Sequence, residues 1–253
     1  MNNVISRKLT TLRARVADRV LDFKPYLRTL EIGETRLRFL YATAQAVDWY
    51  DPLDPHLHAE FEWLQGHLAG RSETILDAGA YHGLYAMVLA RAAASGSRVV
   101  AVDPVASNVA IMEANFALNG LAIEIVEAAV TDRDAPVAFT KESCGRIVAD
   151  GMPSVEGRRL PSLLPDATVA KVDIEGAEFD VLPTQLDEMP HVHTWIVEIH
   201  PGFGFDPAVV LELFRGRGFA LHVLDRESAA VVPWPDDAVW RERTSLIALR
   251  SRS

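Results

Sequence analysis

TILDAGAYHGLYAMVLARAAASGSRVVAVD, residues 74–103, is the stretch on which the fold turns. Thr74–Leu76 is a short β-rich run that ends in Asp77-Ala-Gly-Ala-Tyr-His-Gly83. A helical pattern follows over Leu84–Ala94, and a second β-rich run, Arg98–Val102, ends in Asp103. Strand, tight turn, helix and strand make one βαβ unit, and the alternation continues downstream. Asn108–Leu118 reads as a helix, Ala122–Val126, Thr168–Val172 and Thr194–Ile199 as strands, and Ala208–Arg217 as a helix. This pattern predicts an α/β domain with a parallel sheet covered by helices on both faces. Phe219–Leu224 and Ser245–Leu249 break it. About twenty residues separate them, with Pro233-Trp-Pro235 and no crossover helix, which suits an antiparallel pair.

Upstream, Thr29–Ile32 and Arg36–Tyr41 flank Gly33-Glu34 and predict a short hairpin. Asp51-Pro-Leu-Asp-Pro55 is a breaker cluster, after which a helix is expected over His56–Leu68, stopped by Gly70. In residues 1–30, Ile5, Leu9, Leu12, Val16, Val20, Phe23 and Leu27 fall three or four apart, the stripe of an amphipathic helix. Seven basic residues (Arg7, Lys8, Arg13, Arg15, Arg19, Lys24, Arg28) stand there against Asp18 and Asp22. The expectation is a helix packed on its own domain, with a homodimer contact as its other use. Residues 1–70 thus form an N-terminal segment for capping, oligomer contacts or acceptor recognition, and 71–253 the main domain. Residues 131–166, with Pro153, Pro161 and Pro165, predict an insertion over the active face.

A net charge of −10 disfavours a nucleic-acid partner. No apolar stretch reaches the roughly 18 residues of a membrane span, and MNNVISRK has no apolar run behind it to make a secretory signal. Cys144 is the only cysteine, so a reducing, cytoplasmic setting is expected.

In open α/β sheets ligands bind beyond the carboxyl ends of the strands, so those ends hold the candidate site. Gly79 permits a tight turn and close backbone approach, and Gly83 lets the next helix start near the ligand. The turn is neither a dinucleotide fingerprint nor a phosphate-binding loop, because its glycines are four apart and no Gly-Lys-Ser/Thr follows. A nicotinamide-dependent oxidoreductase is disfavoured on that ground. Asp103 ends the second strand, where an acid can accept hydrogen bonds from ribose hydroxyls. The third run ends in Glu127-Ala128-Ala129. The fourth ends in Lys171-Val-Asp-Ile-Glu-Gly-Ala-Glu178, where Asp173 and Glu175 alternate along a strand expected to be buried on both faces. Buried carboxylates are costly unless paired or used, which points to function. Glu198-Ile-His200-Pro201 adds a further carboxylate and an imidazole beside them.

Four segments in order, DAGAYHG (77–83), VDPVASNVAIMEANFALN (102–119), KVDIEGAEFDVL (171–182) and IVEIH (196–200), resemble the FkbM-type family of S-adenosylmethionine (SAM) dependent methyltransferases. The resemblance runs from about Thr74 to Arg250. It implies the class I methyltransferase fold, a Rossmann-like, seven-stranded, mostly parallel sheet with a terminal antiparallel pair. It also implies SAM as cofactor and methyl transfer, in relatives commonly to a hydroxyl oxygen of a sugar or natural product. Family members usually have Asn at the position of Tyr81 and Glu at that of Asp103. The candidate cofactor-binding residues are Asp77, Gly79, Ala80, Tyr81, His82, Gly83, Asp103, Glu127, Ala128 and Asp173, with Glu127 and Ala128 on the adenine side.

A hydroxyl acceptor needs a base, and His200 is the first candidate, with Glu198 or Asp173 as its orienting carboxylate. The alternative is a divalent cation, Mg²⁺ or Mn²⁺, held by Asp173, Glu198 and His200. A catalytically silent SAM-binding scaffold is the rival from another class.

Overall fold

The computed structural model describes residues 23–140, 145–148, 150–200, 206–225, 228, 230–235 and 244–251. A hairpin opens the described chain: β1 (Tyr26–Ile32) pairs antiparallel with β2 (Thr35–Tyr41) across Gly33-Glu34. The strand therefore begins at Tyr26. Leu27, expected on the apolar stripe of a helix, is 46% exposed on β1, and the rest of that stripe up to Val20 lies outside the described residues. A helix without a counterpart in the sequence reading follows, α1 (Ala44–Tyr50), capped by Thr43, whose Oγ1 accepts from the Ala46 N–H at 3.1 Å. The expected helix after the breaker cluster is α2 (Pro55–Leu68). Asp54 caps it and Pro55 occupies its first position, where no N–H is needed.

From β3 (Thr74–Ala78) the alternation is regular: α3 (Leu84–Ala92), β4 (Arg98–Asp103), α4 (Ala106–Leu118) and β5 (Glu124–Glu127). The stretch that follows holds a two-residue parallel pair, β6 (Ala129–Val130) with β7 (Gly157–Arg158), bridges at Val137–Val155 and Phe139–Ile147, and a single helical turn, α5 (Leu160–Leu163). Then come β8 (Val169–Val172), α6 (Glu178–Gln185), β9 (Thr194–Ile199), α7 (Ala208–Arg215), β10 (Ala220–Asp225), β11 (Ala230–Pro233) and β12 (Thr244–Leu249).

The main sheet runs β11-β10-β12-β9-β8-β3-β4-β5. Its five strands from β9 to β5 are parallel, and β12 inserts antiparallel between β9 and β10. The sheet has eight strands where seven were expected. The connection before β12 is not simply a loop: its Ala230–Pro233 returns along β10 as an edge strand.

Both faces of the parallel strands are buried, and their alternation sorts the side chains into two layers. Leu76, Val100, Ala170 and Val197 pack with Leu182 of α6 and Phe214 of α7. Ile75, Val99, Val169 and Ile196 pack with Met87 of α3, Phe61 of α2 and Phe39 of β2. Phe39 and Phe61 are wholly buried, each contributing about 1.5–3 kcal/mol of apolar burial that ties the hairpin and α2 to the sheet. The backbone of β2 is met by side chains of α4 and of its C-cap, Asn119. Asn115 Oδ1 accepts from Leu40 N–H, Asn119 Oδ1 accepts from Arg38 N–H, and Asn119 Nδ2 donates to the Arg38 carbonyl. Asn115 also donates to the His82 carbonyl at 2.9 Å, linking the hairpin to the turn after β3.

Candidate active site

The turn after β3 is shaped by its backbone. Gly79 has φ +82°, and a Cβ there would lie 1.7 Å from the Asp173 carbonyl oxygen. The close approach expected of Gly79 is thus to the end of β8. The N–H groups of Gly79 and Ala80 both donate to the Val102 carbonyl at 2.9 Å, holding the turn against β4. Gly83 (φ +81°) begins α3, and a Cβ there would meet the Phe116 ring at 2.5 Å.

Tyr81 also has a left-handed backbone, φ 52°, unusual for a bulky residue. Its N–H donates to Asp103 Oδ2 at 3.0 Å. Its ring turns to the N-terminal segment, stacking on His82 at 3.7 Å, packing 4.9 Å from Trp49, and meeting Thr43 Oγ1 through its hydroxyl at 3.0 Å. Burial pushes the His82 imidazole down to about 3, so it stays neutral.

Asp103, 6% exposed, accepts from Val105 N–H at 2.9 Å and Asn108 Nδ2 at 3.0 Å as well as from Tyr81. These bonds favour the carboxylate, but burial outweighs them and raises its pKa to about 7. Glu127 stands opposite Asp103 in the sheet register and is exposed, while Ala128 beside it is buried.

At the ends of β8 and β9 four titratable groups converge. Asp173 continues the ladder, its N–H donating to the Ala78 carbonyl at 2.9 Å. Glu175 and Gly176 then take φ 54° and φ 104°, a reversal that starts α6 with Glu178 in its first turn. His200 follows β9 and is 6% exposed. Its Nδ1 lies 2.6 Å from Oε1 of the fully buried Glu178. Its Nε2 faces Asp173 Oδ1 at 3.5 Å and Glu175 Oε2 at 3.7 Å. One ligand atom from each of Asp173, Glu175 and His200 lies within 4.8 Å of the others.

The carboxylate on His200 Nδ1 is therefore Glu178, not Glu198 or Asp173, and Glu175 stands in the cluster where Glu198 was expected. On β9, Glu198 shares the face of Ile196, toward α3, and acts electrostatically on Lys171 and Tyr85. That face carries a buried polar network absent from the sequence reading. Lys171 Nζ lies 3.2 Å from Asp173 Oδ2, 3.6 Å from Asp77 Oδ1, 3.4 Å from the Gly79 carbonyl and 4.7 Å from the Tyr85 ring centroid. Burial opposes the lysine's charge, but Asp173, Asp77 and Glu198 outweigh it and hold the ammonium protonated. Tyr85 donates to Glu60 Oε1 at 3.0 Å, and burial raises the carboxyl pKa of Glu60. Lys171 thus fixes Asp173 from below while Glu178 fixes His200 from behind, and both groups face the carboxyl edge beside the Gly79 turn.

A parallel sheet with an antiparallel strand inserted near one edge, and a Gly-centred turn and acids at its carboxyl edge, defines a class I SAM-dependent methyltransferase. The family model described as "Methyltransferase FkbM domain" matches residues 77–221, and the chain belongs to that family. Among curated protein sequences none matches. Solved structures share the fold at low identity. The SAM-dependent methyltransferase from Agrobacterium tumefaciens is 17% identical over 88% of this chain and 69% of its own, with a TM-score of 0.50. The 16S rRNA methyltransferase of T. thermophilus, solved with AdoMet and guanosine, is 15% identical over 90% of this chain and 51% of its own, with a TM-score of 0.52. Among the described residues no helix is long and apolar enough to cross a membrane.

Proposed function

We propose that this methyltransferase acts on a hydroxyl oxygen of a sugar or natural-product small molecule, with His200 taking the proton. The observation that carries this reading is the Glu178–His200 contact at 2.6 Å, which leaves Nε2 facing Asp173 at 3.5 Å and Glu175 at 3.7 Å. A carboxylate that accepts the Nδ1 proton selects the neutral tautomer in which Nε2 is the acceptor. Bound SAM supplies a methyl on a sulfonium sulfur. The protein's part is to hold an acceptor oxygen in line with that methyl and to remove its proton.

The turn from Asp77 to Gly83, with Ala80, Tyr81 and His82, forms the methionine side of the cofactor site in this reading. Asp103 takes the ribose, and Glu127 and Ala128 border the adenine. Residues before 71 serve the acceptor side, because Thr43 and Trp49 contact Tyr81 within the cofactor turn. Ribose hydroxyls donate, so they favour the ionised Asp103, whose proton leaves near pH 7. SAM affinity is expected to rise about tenfold between pH 6 and pH 8 and then level off. Titration calorimetry checks this, and Asp103→Asn should flatten the profile and weaken binding. A wild-type affinity independent of pH would remove Asp103 from the ribose.

A second reading has its own observation. Asp173, Glu175 and His200 offer two carboxylates and an imidazole within 4.8 Å, a set that suits Mg²⁺ or Mn²⁺, with Glu178 as the outer partner of the imidazole. One experiment separates the readings: SAM with a labelled methyl is incubated with the protein and a pool of hydroxylated small molecules. Base catalysis predicts an alkali-stable labelled ether whose formation is indifferent to chelator. Loss of transfer with chelator, restored by Mg²⁺ or Mn²⁺, would assign the cation. SAM binding without transfer to any acceptor would leave a scaffold.

A further inference from the structure

At the opposite, amino edge of the sheet lies a cavity of about 350 Å³, lined by His67, Arg71, His193, Thr194, Leu249, Arg250 and Ser251. Thr194 is the first residue of β9, and His200 follows its last, so the cavity is about 20 Å along the strand from the candidate active site. We propose that this basal cavity is a second ligand site and that it takes a small polyanion bearing a phosphate or diphosphate group.

The lining is rich in cationic and imidazole groups. On a chain of net charge −10 the cavity gathers two guanidinium groups and two imidazoles. Arg71 is exposed, and its side chain has no partner among the described residues. Arg250 is held in place: its Nη2 donates to the carbonyls of Pro190 and Val192, and its guanidinium lies 4.6 Å over the Phe219 ring. Those bonds do not exhaust its five N–H donors. His67 is fixed by flat stacking on Trp63, 4.7 Å between centroids. Both imidazoles meet Thr194 Oγ1, His67 through Nε2 at 3.0 Å and His193 through Nδ1 at 2.9 Å. The acid facing them is Glu73, 3.3 Å from His193 Nε2, with its side chain almost fully buried. Glu73 also accepts from Thr168 Oγ1 at 2.6 Å, so it orients His193 from behind. The Arg250 guanidinium, held in place, and the Arg71 guanidinium beside it present donors to a space of this size, the chemistry that recognises phosphate oxygens.

The groups facing the cavity are His67 from α2, Arg71 and Glu73 before β3, His193 before β9, and Arg250 after β12. The test is calorimetric titration of the full chain with pyrophosphate at low salt, in the presence of SAM. The expected result is one-site binding. Arg71→Ala should weaken it about ten- to a hundredfold, the loss of a charge-assisted hydrogen bond, and leave SAM affinity unchanged. An ADP arm identifies the source of the group. Tighter binding than pyrophosphate assigns a nucleotide, equal binding a bare diphosphate, and either supports the site. No binding of pyrophosphate, equal binding by Arg71→Ala, or competition with SAM would overturn it. None of these outcomes bears on methyl transfer at the other edge.

Discussion

His200→Ala is expected to lower kcat about 10²–10⁴-fold while SAM affinity stays near that of the wild type. The effect is large because the imidazole, just past β9, lies between Asp173 and Glu175 on one side and Glu178 on the other. Removing it takes away the only imidazole in the cluster. The residual rate would come from holding the acceptor oxygen in line with the methyl. In the wild type, activity should fall as pH is lowered and Nε2 takes up a proton, since imidazolium accepts none. Steady-state kinetics with an identified acceptor, alongside SAM titration of the same variant, checks both halves. Unchanged kcat would leave positioning alone, or Asp173, to carry the chemistry.

The second large effect is expected at Gly79, and it is structural. Gly79→Val puts a β-branched side chain at φ +82° with its Cβ 1.7 Å from the Asp173 carbonyl oxygen. The left-handed backbone costs about 1–2 kcal/mol and the overlap a further 1–3 kcal/mol, because backbone on both sides must move. A loss of about 3 kcal/mol corresponds to a fall in Tm of roughly 6–12 °C for a chain of this size. SAM binding should be lost with it, since the displaced atoms belong to the cofactor turn and to Asp173 together. Thermal melts with and without SAM measure both. A variant that melts like the wild type would mean that this turn does not pack on the end of β8.

The parallel sheet was legible because its strands are short apolar runs with acids at their ends, and periodicity reads both. Asp173 and His200 stood out for the same reason: polar groups at the ends of buried strands. Glu198 misled because His200 lies just past the last residue of β9, where the strand's alternation no longer places its side chain. Glu198, on the face of Ile196, acts on Lys171 and Tyr85, while the imidazole's Nδ1 turns to Glu178. Glu178 was hidden by the backbone, since only the left-handed Glu175-Gly176 pair turns the first residue of α6 back onto His200. No spacing rule encodes that reversal. Phe23 and Leu27 continued a helical stripe by spacing alone, yet pairing with β2 makes Tyr26–Ile32 a strand. β11 lay within what the sequence suggested was a loop; it is an edge strand, where the N–H missing at Pro233 costs little.

The most direct test of the account is the kinetics of Glu178→Gln, because this change keeps the shape of the site and alters only what holds the imidazole. Glutamine can present its amide N–H to Nδ1 and so favour the tautomer whose Nε2 carries the proton and cannot act as base. The expected outcome is a loss of kcat of about 10²–10⁴-fold, an unchanged melting curve and an unchanged SAM affinity. Full kcat in Glu178→Gln, with the pH profile of the wild type, would contradict it.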